Sequence, residues 1–112
     1  MKKRMLYGIV GPTASGKTGV AIALAQSVDG EVVSCDSMQI YQGMDILSAK
    51  PTAQERAAAA HHMISLLPPS EKCTAARFRD MALPVLEDLF VRGKQPILCG
   101  GTGLYVDAIT RP

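Results

Sequence analysis

Eight residues near the start of the chain, Gly11-Pro12-Thr13-Ala14-Ser15-Gly16-Lys17-Thr18, dictate much of what can surround them. They form a complete G-x-x-x-x-G-K-[ST] loop. Its glycines let successive backbone N–H groups converge on phosphate oxygens, and a following helix adds favourable potential at its N-terminus. Lys17 supplies a cation to the terminal phosphate, and the Thr18 hydroxyl can help hold Mg²⁺. Such a loop needs a strand before it and a helix after it. Met5 to Val10 is an apolar run that fits a buried strand, broken by Gly11-Pro12. Lys17 to Val28 fits the helix, with Val20, Leu24 and Val28 four apart and Ala21 and Ala23 small enough for close packing.

The remaining pattern repeats that alternation. Glu31 to Cys35 reads as a second buried strand with Asp36 at its carboxyl end. Ser37 to Pro51 lacks periodicity, and a connection of that length is commonly functional. Thr52 and Glu55 have the spacing of a capping box and open a short helix to about Ala60. "HMISLL", residues 62–67, reads as a third strand, closed by Pro68-Pro69. Thr74 caps the longest helix, Ala75 to about Arg92, whose stripe is Phe78, Met81, Ala82, Val85, Leu86 and Leu89. Pro84 should kink that helix and Gly93 should end it. Pro96 to Cys99 makes a last strand, and Gly100-Gly101-Thr102-Gly103 enters a final helix. The expectation is an α/β fold: a P-loop NTPase-like parallel sheet flanked by helices, with residues 1–112 forming the N-terminal part of a larger protein.

Composition narrows the function. A chain of 112 residues, 47% hydrophobic and 20% charged, is one globular domain at most. A net charge of +2 does not by itself imply nucleic-acid binding. Cys35, Cys73 and Cys99 form no C-x-x-C pair, so a zinc ribbon or a disulfide framework is not expected, and Cys35 and Cys99 read as small apolar strand residues. His61 and His62 are adjacent and must face different ways, which suits structural roles better than one metal. The basic opening "MKKR" precedes too short an apolar run for a secretory leader, and nothing approaches the roughly 20 apolar residues of a membrane span. A soluble, cytoplasmic protein with no membrane association is expected.

The loop signifies polyphosphate, not ATP in particular. A phosphohydrolase of this class usually carries an acidic residue after an apolar strand to hold Mg²⁺. Asp36 follows Ser34 and Cys35 instead, and "PILCGG" ends without an acid. Asp36 could bind a metal, accept a proton or cap a turn at the edge where ligands of open α/β sheets bind.

"GPTASGKT", "DSMQIYQGMDILSAKPT", "HHMISL" and "GGTGLY" occur in an order and spacing that resembles the tRNA dimethylallyltransferases, also called tRNA isopentenyltransferases. The resemblance runs from about residue 5 to residue 110. It implies transfer of a dimethylallyl group from dimethylallyl diphosphate to N6 of the adenosine beside the anticodon of a tRNA. Gly11 through Thr18 would hold the diphosphate, with Mg²⁺ at Thr18. Asp36 matches the family's general base, and a carboxylate suffices there because the amine proton becomes acidic only as the new bond forms. Asp36, Ser37, Met38 and Gln39 match the segment that meets the target adenosine; the Gln39 amide could read an adenine edge. Thr102 matches a threonine that approaches both substrates.

Met38 stands where many members have Arg, Leu47 where Gly is frequent, and Ser65 where many have Asp. The family's helical insertion and later RNA-gripping segments have no counterpart in these residues. The expectation is therefore a monomeric transferase when whole, and a 112-residue piece with little activity of its own. The alternatives are transfer to free adenine nucleotides, a P-loop kinase or ATPase, and a diphosphate binder without turnover.

Overall fold

A computed structural model of the chain describes residues 6–10, 17–36, 39–43, 50–100 and 103–110. Four strands pair in parallel: β1 (Tyr7–Val10), β2 (Gly30–Ser34), β3 (His61–His62) and β4 (Gln95–Gly100), in the spatial order β1-β4-β2-β3. The helices are α1 (Lys17–Val28), α2 (Ala53–Ala58), α3 (Ala75–Val91) and α4 (Gly103–Thr110). The expected parallel α/β sheet is therefore present.

Parallel strands covered on both faces carry near-continuous apolar runs, and β2 and β4 do so. Their side chains alternate between two cores. Val32, Ile97 and Cys99 pack beneath α1, against Ala21 and Ala25. Val33, Cys35 and Leu98 face α3 and α4 with Phe78, Leu86, Leu89 and Tyr105. The α1 stripe differs from the expected one. Ala21 is buried as expected, but Val20 is 57% exposed and Ala23 is exposed, and Ala25 is buried in their place. Alanines at the contact let the helix sit close over the sheet, and that turns Val20 outward. In α3 the expected stripe holds: Phe78, Ala82, Leu86 and Leu89 are buried, with Met81 and Val85 packed beside them. The helix continues through Pro84, which lies on its exposed side. The Phe78 and Tyr105 rings stack at 4.4 Å, joining α3 to α4. The Tyr105 hydroxyl donates to the Cys73 carbonyl at 2.7 Å, and burial pushes its pKa up to about 12.

Local signals end the elements as the sequence requires. Thr52 and Glu55 make the reciprocal bonds of a capping box, and the Thr74 side chain accepts from the Arg77 N–H. Gly93, at φ 74°, takes the left-handed turn out of α3. The third strand, however, lies earlier than expected, at His61–His62. Met63 and Ser65 have φ of 67° and 58°, so the chain bends away instead of continuing through 62–67. It turns because it pairs elsewhere: the Ser65 and Leu66 N–H groups donate to the Gln39 and Ile40 carbonyls, and Tyr41 bridges to Leu67. Lys50 reinforces this pairing by donating to the Tyr41 carbonyl and the Ser65 hydroxyl, at 2.5 and 2.8 Å.

Glu31 ties β2 to α3 and β3. Arg92 grips its carboxylate at 2.9 and 3.1 Å, and His62 lies at 2.7 Å. The Arg92 guanidinium, outweighing the opposing effect of burial, holds the Glu31 pKa down at about 2. In an unfolded chain it would titrate near ~4.3. Its stabilising contribution is thus complete above the unfolded value and is lost as pH falls through the folded one. Urea midpoints measured between pH 6 and pH 2 should fall in the acid range, and Glu31→Gln should flatten that part of the profile.

Candidate functional site

The strand registers build the site. Val10 pairs with Gly100, Ser34 with Cys99, and the Cys35 N–H donates to the Cys99 carbonyl at 2.8 Å. The carboxyl ends of β1, β4 and β2 therefore lie side by side. The chain passes from those ends directly into Gly11, Gly101 and Asp36. That is the edge where open α/β sheets bind ligands.

On the α1 side of this edge, a pocket is lined by Thr18, Val32, Ser34, Asp36, Gln39, Pro51, His61 and Cys99. Alternation explains the membership. Val32, Ser34 and Asp36 fall on one face of β2 and its extension. His61 is the register partner of Val32, and Cys99 that of Ser34. Thr18, in the first turn of α1, closes the other wall. Of the residues singled out from sequence, Thr18, Asp36 and Gln39 thus meet in one pocket. Gly11 to Gly16, Ser37, Met38, Leu47 and Thr102 lie outside the described residues, as does the side chain of Lys17.

Hydrogen bonds fold the segment after β2 back over the pocket. The Gln39 N–H donates to Asp36 Oδ1 at 3.2 Å, the turn expected of an Asp at a strand end. The Ser34 hydroxyl donates to Gln39 Oε1 at 2.7 Å, and both residues are buried, at 3% and 7% exposure. His61 Nδ1 is 2.8 Å from the Ala59 carbonyl, an acceptor only, so Nδ1 carries the proton and Nε2 is a bare lone pair. Among the described residues Nε2 is buried without a partner, and burial lowers the His61 pKa, disfavouring the charged ring. His62 points to the opposite face, toward Glu31, so the two histidines do face different ways as expected.

Ser34 and His61 line the pocket, and sequence reasoning missed them. Period-two alternation along "EVVSCD" puts Ser34 on the face of Asp36 and was sufficient to find it. Nothing local marks His61, because its place depends on the register of a two-residue strand. Cys35 faces the other core. Burial, with the neighbouring Cys99, pushes its thiol up to about 12, which suits an inert packing residue.

Among the described residues no group of three or more His, Cys, Asp and Glu could hold a metal. A hydroxyl at Thr18 and a carboxylate at Asp36, sharing one pocket, are instead the hard oxygen donors that suit Mg²⁺. That ion typically takes one or two protein ligands and completes its shell with phosphate and water. No helix among the described residues is long and apolar enough to cross a membrane.

Comparison with known proteins gives a consistent result. The family profile described as IPP transferase matches residues 39–112, and one described as isopentenyl transferase matches residues 4–64. A tRNA dimethylallyltransferase of Anaeromyxobacter dehalogenans is 54% identical over 101 residues, 90% of this chain and 34% of the relative. One from Halalkalibacterium halodurans is 50% identical over 107 residues, 96% of this chain and 34% of the relative. The crystal structure of a full-length tRNA isopentenylpyrophosphate transferase from Bacillus halodurans superposes with a TM-score of 0.91. It is 50% identical, across 96% of this chain and 35% of that one. A eukaryotic dimethylallyltransferase acting on tRNA gives a TM-score of 0.89 at 36% identity, across 99% of this chain and 28% of that one. The chain thus spans about a third of the length of the curated relatives it matches.

Proposed function

The chain belongs to the IPP transferase family, and from that premise we propose that it is the first part of the catalytic core of a tRNA dimethylallyltransferase. The observation that carries the proposal is the meeting of Thr18 and Asp36 in one pocket at the carboxyl edge of the sheet. That arrangement supports a phosphate-binding helix start and a carboxylate acting on one ligand.

The reaction assigns each a task. The loop from Gly11 to Thr18 binds the diphosphate of dimethylallyl diphosphate, and Lys17 offsets the charge that grows there as the allylic C–O bond breaks. A divalent cation, Mg²⁺, held at Thr18 would add Lewis-acid stabilisation of that leaving group. The target adenosine leaves its stack, as bases do for enzymes that modify them. Its N6 attacks the allylic carbon, forms the C–N bond and becomes positively charged. Asp36 takes the N6 proton, and diphosphate departs. Asp36, Ser37, Met38 and Gln39 contact the adenosine, while Thr102 stands at the diphosphate end. The whole protein acts in the cytoplasm as a monomer, and the 112-residue chain alone transfers little, because RNA-gripping surface belongs to the rest of the family's length.

Full-length protein supplied with labelled dimethylallyl diphosphate, γ-labelled ATP, tRNA and AMP discriminates the readings. Label passing from the prenyl donor to tRNA is expected. Label on AMP would assign a free-nucleotide prenyltransferase, and phosphate released from ATP alone would assign a kinase or ATPase.

A further inference from the structure

We infer that Ser34 is a positioning residue, setting the orientation of the Gln39 side-chain amide toward the adenine. The inference rests on the functional reading above. Its basis is a pair of hydrogen bonds that hold Gln39 at both ends, its side chain at Ser34 and its backbone N–H at Asp36. The Ser34 hydroxyl donates to Gln39 Oε1 at 2.7 Å, and the Gln39 N–H donates to Asp36 Oδ1 at 3.2 Å. Ser34 and Asp36 lie two residues apart on one face of β2 and its extension, so Gln39 spans both.

The two ends of a glutamine amide are nearly identical in shape but opposite in hydrogen bonding. Adenine presents an amine donor beside a ring acceptor, so a reader must offer acceptor and donor in a fixed order. Ser34 fixes that order. Its hydroxyl has one proton, and among the described residues Gln39 Oε1 is the acceptor that takes it. A rotated amide would turn Nε2 toward Ser34 Oγ, which could accept from it, but the hydroxyl proton would then lose the acceptor it has here, at 3% exposure of the residue. The sequence shows Ser34 only as a polar interruption of an apolar strand. The register turns that interruption into a support for the site.

The test has one arm without turnover and one with it. In ¹H–¹⁵N spectra of the full-length protein, Ser34→Ala should shift and broaden the Gln39 side-chain amide signals while the rest of the spectrum keeps its dispersion. Ser34→Thr, which retains the hydroxyl, should leave those signals near their original positions. In full-length protein, Ser34→Ala should lower kcat/KM for tRNA about tenfold, the scale of one lost buried hydrogen bond. The KM for dimethylallyl diphosphate should stay unchanged, and Ser34→Thr should restore most of the loss. Ser34→Ala combined with Gln39→Ala should be no worse than Gln39→Ala alone. Unmoved amide signals, multiplicative losses in the double variant, or an equal loss of donor binding would overturn the assignment. Failure of the unsubstituted protein to prenylate tRNA counts against the functional reading alone, because the amide signals report on Ser34 without turnover.

Discussion

Replacing Asp36 with Asn in the full-length protein should slow prenyl transfer to tRNA by roughly 10²–10⁴-fold, the range for loss of a general base. Binding of dimethylallyl diphosphate should be retained. Asn is the informative substitution because its Oδ1 can still accept from the Gln39 N–H, which reaches Asp36 Oδ1 at 3.2 Å. The turn after β2 is thereby kept, and what disappears is a basic oxygen for the amine proton. Single-turnover transfer and equilibrium binding of the donor, measured on the same protein, separate the two tasks. Equal losses in both would make Asp36 a metal ligand instead, since Thr18 shares its pocket.

The largest effect on the fold near the site is expected at Gly100. A Cβ there would lie 2.7 Å from the Cys35 carbonyl oxygen and 3.2 Å from the Cys35 Cβ. The first is a backbone atom and cannot swing aside. Gly100→Ala must therefore push β4 away from the end of β2, where the Cys35 N–H donates to the Cys99 carbonyl. A cost of about 3 kcal/mol is expected, at the upper end for overpacking. The displaced segment leads straight into Asp36. Gly8→Ala is the matched control: a Cβ there meets nothing within 4 Å, so its urea midpoint should change little. A Gly100→Ala midpoint equal to that of Gly8→Ala would contradict the close approach of the strands.

Much of this was legible because the loop and the strand ends carry local chemistry. A Gly-rich loop between an apolar run and a helix admits one context, and β1 stands before it and α1 after it. Thr52 and Thr74 start helices and Gly93 ends one through local geometry, so those boundaries could be read directly. Errors arose where distant residues decide. Leu24, Val28 and Ala21 pack toward the sheet as read, but Val20 and Ala23 are exposed and Ala25 makes the close approach instead. The expected strand at 62–67 failed because Ser65 and Leu66 bond to Gln39 and Ile40, a pairing that period-two alternation cannot reveal. His61 entered the pocket for the same kind of reason, through its register with Val32. The match of "DSMQIYQGMDI" and "GGTGLY" to a known family carried the choice of substrate, which no periodicity could supply.

The central claim is that this pocket unites a prenyl diphosphate with an adenine amine. Unmodified tRNA should be incubated with full-length protein and dimethylallyl diphosphate, digested to nucleosides and analysed by mass spectrometry. The expected product is adenosine carrying one dimethylallyl group on N6, confined to the position beside the anticodon. An unchanged nucleoside profile, from protein shown to bind the donor, would contradict the claim.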